Sequence, residues 1–135
     1  MGDRRHSREQ KWGAKMRVEE LSDDVLLVVL PKEPRLRTEL AKLNETLGKR
    51  KDCDVIIDLS LVEIITSSSI SNLMILHSLL DEHGRKLILC NVALPTKGVF
   101  KTVGLDELFD FAVSRPAALA LLQGAKQTAL QKAER

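Results

Sequence analysis

The sequence predicts a single α/β domain, a mixed and mostly parallel sheet opened by an antiparallel hairpin and flanked by helices. Three observations carry this. The apolar runs VLLVVL (25–30), DVIIDL (54–59) and KLILCNV (86–92) read as buried strands. The segments between them repeat apolar residues at helical spacing, and strands alternating with helices need right-handed crossovers, which make the sheet parallel. At 135 residues and 44% hydrophobic content, the chain is sized for one core.

Taken in order, Met16, Val18 and, less cleanly, Leu21 alternate in MRVEEL, and Ser22-Asp23-Asp24 supplies a turn into VLLVVL. That is a hairpin, and Pro31 and Pro34 punctuate its end. Leu36, Leu40, Leu43 and Leu47 then follow helical spacing, with Gly48 as a stop. DVIIDL is the second strand and carries the pattern of one buried on both faces. The loop SLVEII leads to a helix over 70–80, with Leu73, Leu76 and Leu80 inward and Gly84 at its end. KLILCNV is the next strand. Pro95 starts a helix carrying Val99, Phe100 and Val103, closed by Gly104. LFDFAV (108–113) is a short last strand, and Ser114 with Pro116 opens a terminal helix containing Leu119, Leu121 and Leu122.

Composition narrows the function classes. Aromatic residues make up 3% of the chain (Trp12, Phe100, Phe109 and Phe111), which argues against stacking platforms for single-stranded nucleic acid or flat cofactors. No apolar run approaches the ~18 residues that span a bilayer. MGDRRHSREQKWGAK lacks the apolar stretch of a signal peptide. Cys53 and Cys90 fall in or beside strands and outside CxxC spacing, as expected of reduced core thiols in a cytoplasmic protein. His6, His77 and His83 are scattered, so no metal site is expected. The hydroxyl run described below has no Gly-x-Ser-x-Gly elbow, and the chain has no glycine-rich phosphate loop, so neither catalysis nor a cofactor is expected.

Charge is unevenly spread. Residues 1–17 carry Arg4, Arg5, Arg8, Lys11, Lys15 and Arg17 against Asp3 and Glu9, while residues 124–135 carry Lys126, Lys132 and Arg135 against Glu134. With a total of +2, the body between them is acidic. We expect residues 1–15 to form a basic flexible leader, 16–123 the domain, and 124–135 a helix end and tail. A basic arm can touch nucleic acid electrostatically, but the body has no basic stripe.

The most informative stretch is IITSSSISNLMIL (64–76), in which Thr66, Ser67, Ser68 and Ser69 stand in a row. They follow the strand DVIIDL and precede a helix, and so lie at a helix N-terminus beyond the carboxyl end of a parallel strand, where α/β sheets dock ligands and partners. One hydroxyl satisfies the cap; four exceed that need. A phosphate there would add about 1.5 to 2 negative charges beside the positive end of the helix dipole, so the fold tolerates it while a docked partner does not. With Leu73, Leu76 and Leu80 inward, Ser71, Met74, Ile75 and Ser78 face outward, and Met74 suits an adaptable interface.

DVIIDLSLVEIITSSSISNLMILHSLLDEHGRKLILCNV, followed by PTKGVFKTVGLDELFDFAVSRPAALALL, resembles the STAS domain of anti-sigma-factor antagonists. The matching features are Asp58-Leu59-Ser60, Thr66-Ser67-Ser68-Ser69, Gly84-Arg85-Lys86-Leu87 and Val103-Gly104-Leu105, within residues 16 to 123. The resemblance implies a protein that binds an anti-sigma factor that is also a serine/threonine kinase, is phosphorylated by it, and is restored by a phosphatase. It places the phosphorylated residue at Ser68, with Ser67 its nearest neighbour and Thr66 and Ser69 as alternatives. Ser67, Ser69, Ser71, Met74, Ile75 and Ser78 are then the partner-binding residues, and Asp58 is structural, receiving backbone N–H groups or capping the next turn. Thr66 stands where the family has an acidic residue, and Ser69 where it has glycine. Those departures keep open an unphosphorylated adaptor in a stressosome-like or lipid ABC-transporter assembly. The edge of the opening hairpin also leaves room for a homodimer.

Overall fold

The structure, a computed structural model, describes the backbone of residues 16–50 and 52–133, with side chains described as far as residue 124. The expected basic leader lies outside the described residues. Strands β1 (Arg17–Ser22) and β2 (Val25–Val29) form the opening hairpin, followed by helix α1 (Arg35–Leu47) and strand β3 (Asp54–Asp58). Then come α2 (Ser67–Glu82), β4 (Leu87–Cys90), α3 (Leu94–Thr102), β5 (Asp110–Ala112) and α4 (Arg115–Ala133).

The five strands lie in one sheet in the order β1-β2-β3-β4-β5. The hairpin pair is antiparallel and the other three pairs are parallel. The Ser22 hydroxyl donates to Asp24 Oδ1 at 2.9 Å and tightens the hairpin turn. The mixed sheet expected from the sequence is therefore the one observed.

β2, β3 and β4 are buried along their whole length, because helices cover both sheet faces. Side chains alternate across a strand, so each strand feeds two cores. Leu26, Val28, Val55, Ile57, Leu87 and Leu89 face α1 and α2, meeting Leu36, Leu40, Leu43, Leu47, Leu73, Leu76 and Leu80, with Phe100 and Phe109 closing the cluster. Val25, Leu27, Ile56, Ile88 and Cys90 face the other way, onto Ala118 and Leu122 of α4. Cys53 and Cys90 are free, buried and in different clusters.

Several element ends differ from the sequence reading. α2 begins at Ser67, not Ile70, because the Thr66 side chain caps it. β5 spans only Asp110–Ala112. Val103 lies past the end of α3 and is 54% exposed, and Leu121 lies on the outer side of α4.

Candidate functional site

Because β2 and β3 run parallel, their carboxyl ends share one rim, and the loops into α1 and α2 leave it side by side. The loop before α2 is pinned at two buried points, Val62 and Ile65. The Thr96 hydroxyl donates to the Glu63 carbonyl at 3.1 Å and ties the loop to α3. Leu61 (55% exposed) and Ile64 (74% exposed) are left on the surface. Between the two loops lies a groove of about 520 Å³, lined by Lys32, Glu33, Ser60, Leu61, Glu63 and Ile64.

The hydroxyl run is organised by one carboxylate. Thr66, in extended backbone, is the N-cap of α2, and its Oγ1 accepts from the Ser69 N–H at 3.2 Å. Glu33 Oε2 accepts from the Thr66 N–H (2.9 Å), the Thr66 hydroxyl (2.9 Å) and the Ser69 hydroxyl (2.7 Å). Burial pushes the Glu33 carboxyl up. The hydrogen bonds from Ser69, from both Thr66 donors and from the Arg37 backbone outweigh burial and hold it below the usual range. A negative charge at this helix end is also favoured by the dipole. The acid that the motif lacks next to the serines is thus supplied from the β2–α1 loop. Sequence reasoning missed Glu33 because it lies 33 residues from Thr66, and no local pattern marks it.

Ser67 and Ser68 form the start of the first turn of α2 and are exposed. Ser71, Met74, Ile75 and Ser78 are exposed as well and continue from them at three- and four-residue spacing, so they form one stripe along the helix. Ser69 departs from its expected place on the partner surface. It is 0% exposed and its hydroxyl is committed to Glu33, because the third residue of the helix turns toward the rim loop. His77 is half-buried and packs in a T-shaped arrangement with Phe109, the ring centroids 5.6 Å apart.

Asp58, at the end of β3, is 1% exposed. Its Oδ1 accepts from the Ser60 N–H at 2.8 Å, and its Oδ2 from Asn91 Nδ2 at 3.1 Å and Arg115 Nε at 2.5 Å. Burial raises its carboxyl, and these donors together bring it below the ordinary aspartate value. Asn91 reaches it from a left-handed backbone (φ 55°), a conformation asparagine tolerates. Asp58 therefore joins β3, β4 and α4 at the rim. Asn91 and Arg115 were not marked by the sequence.

Among the described residues, no group of three or more His, Cys, Asp or Glu side chains is placed to hold a metal ion, and no helix is long and apolar enough to cross a membrane.

A five-stranded mixed sheet of this order, with helices on both faces, places the chain among the α/β domains. The sequence profile described as the STAS domain matches residues 17–118, and the chain belongs to that family. No curated protein sequence matches significantly. Among solved structures, an anti-sigma-factor antagonist (STAS) domain protein from Planctomyces limnophilus superposes with a TM-score of 0.71 at 21% identity, covering 81% of this chain and 98% of that one. The Bacillus cell fate determinant SpoIIAA in its phosphorylated form gives 0.60 at 16% identity, covering 78% and 98%. A chain of the stressosome, described as a signal integration and transduction hub, gives 0.66 at 19%, covering 82% and 98%. At these identities the likeness is one of fold.

Proposed function

We propose that the protein is a non-catalytic regulatory module of the cytoplasm, an anti-sigma-factor antagonist switched by phosphorylation at Ser68. Its partner is an anti-sigma factor with serine/threonine kinase activity, and a phosphatase reverses the modification. The observation that carries this reading is the exposed stripe of α2. Ser68 heads it, Met74 and Ile75 extend it, and Leu61 and Ile64 stand exposed in the loop leading into it. A partner that buries those apolar side chains must also cover Ser68. A phosphoryl group there would have to be desolvated on binding, whereas in the free protein it sits in water at a helix N-terminus that favours it. The modification thus changes the surface and leaves the fold alone. That a structural relative, SpoIIAA, exists in a phosphorylated form supports the reading.

Two measurements test it. Intact-mass spectrometry with site mapping, on protein isolated from its native cell, is expected to find one phosphate on Ser68. With the purified kinase partner, Ser68→Glu should weaken binding about 100-fold, since desolvating an unpaired charge on binding costs several kcal/mol, while Ser68→Ala stays near wild type. Equal binding by Ser68→Glu and wild type would sink the switch.

The second reading, an unphosphorylated adaptor in a stressosome-like or transporter assembly, is favoured by the replacement of the family's acidic residue and glycine with Thr66 and Ser69. It predicts an unmodified hydroxyl run and assembly unaffected by Ser68→Glu.

A further inference from the structure

We infer that Glu33 is a positioning residue that selects which hydroxyl of the run is modified, withholding Thr66 and Ser69 and leaving Ser68 and Ser67 as acceptors. This rests on the switch reading above. In the modification, a hydroxyl oxygen bonds to the terminal phosphorus of a nucleoside triphosphate and the bond to the bridging oxygen breaks. The diphosphate leaves, and the hydroxyl proton passes to the modifying enzyme's base. An acceptor therefore needs an oxygen that the donor can reach and a proton that can be given up.

Ser69 meets neither need, being 0% exposed with its O–H directed to Glu33 Oε2 at 2.7 Å. Thr66 has an exposed side chain but a doubly engaged oxygen, which donates to Glu33 Oε2 at 2.9 Å and accepts from the Ser69 N–H at 3.2 Å. A phosphoryl group on either oxygen would replace a donated hydrogen bond with a dianion set against a carboxylate. Ser67 and Ser68 differ on each count. Both are exposed, and among the described residues neither hydroxyl has a hydrogen-bond partner. Four adjacent hydroxyls that look equivalent in sequence are thereby sorted into two kinds by a carboxylate from another loop.

The experiment compares full-length wild type, Glu33→Gln and Glu33→Ala, each isolated from the native cell, by phosphosite mapping. Wild type is expected to carry phosphate on Ser68 or Ser67 and not on Thr66 or Ser69. In Glu33→Ala, phosphate on Thr66 or Ser69 should rise about tenfold or more, the scale set by losing hydrogen bonds to a charged group, with Glu33→Gln in between. Phosphate on Thr66 or Ser69 alongside Ser68 in wild type, or an unchanged distribution in both variants, overturns the inference while leaving the switch standing; phosphate on Thr66 or Ser69 without any on Ser68 overturns both. Absence of phosphate from every form overturns the switch and the selection together. Amide hydrogen exchange on the unmodified proteins shows whether the variants fold. The Thr66 amide, which donates to Glu33, should exchange about tenfold faster in Glu33→Ala, while β3 and β4 amides keep wild-type protection. Unchanged exchange at Thr66 also overturns the inference.

Discussion

Glu33 and Asp58 are two carboxylates of the same rim that hold different things. Glu33 orders the mouth of α2, and Asp58 locks three elements together through Ser60, Asn91 and Arg115. Removing Asp58 takes the shared acceptor from the Ser60, Asn91 and Arg115 donors, so Asp58→Ala should cost about 3 kcal/mol in urea unfolding, the scale of hydrogen bonds to a charged group, with the loss limited because Arg115 is 43% exposed and can be solvated. Its folded carboxyl lies below the unfolded value, so its stabilisation is complete above the ordinary aspartate range and is lost as pH falls through the lowered folded value. The stability gap between wild type and Asp58→Asn should therefore narrow on acidification. Glu33 has the same sign, with Lys32 and Glu63 lining its groove and the Arg37 backbone donating to it. Cys90 shows the opposite tendency. Burial and the Asp58 charge, opposed by Arg115, push its thiol up to about 11. Burial likewise leads in raising Cys53. Neither cysteine should be alkylated in the native protein near neutral pH, and both should react after unfolding, as thiol labelling by mass spectrometry would show.

At the scale of elements, α2 has two faces with separate tasks. Leu73 and Leu76 are fully buried against the sheet, whereas Met74 and Ile75 are 39% and 49% exposed. Leu76→Ala should cost about 3 kcal/mol in transfer and cavity energy, and Met74→Ala about 0.5 kcal/mol or less, both by denaturant unfolding. A partner-binding assay should reverse that ranking. The glycines that punctuate the sequence are not alike. Gly84 ends α2 at φ 69° and Gly104 follows α3 at φ 78°, both left-handed positions where a side chain is strained even with open space around it. Gly48 ends α1 in right-handed backbone, and an added Cβ would instead meet the Asn44 carbonyl at 3.2 Å. All three were legible as stops, because glycine is the common signal. Which constraint each obeys was not, because that depends on backbone angles.

At the scale of the whole molecule, the two sheet faces are covered unequally. α1 and α2 share one core, while Ala118 and Leu122 of α4 cover Val25, Leu27, Ile56 and Ile88 on the other. Truncation before Arg115 should bare that apolar face and release Asp58, leaving a chain that binds a hydrophobic dye and lacks a cooperative unfolding transition by circular dichroism. The strands, the helices and the place of the hydroxyl run could be read from the chain because they rest on periodicity and punctuation within a few residues, where neighbours decide the outcome. The fate of each hydroxyl could not. Ser68 and Ser69 are adjacent and chemically identical, yet one is open to solvent and the other sealed under Glu33. That difference, like the reach of Arg115 across 57 residues to Asp58, arises only when parallel pairing brings strand ends to one rim. Local sequence carries the elements, and strand order decides which side chains they bring together.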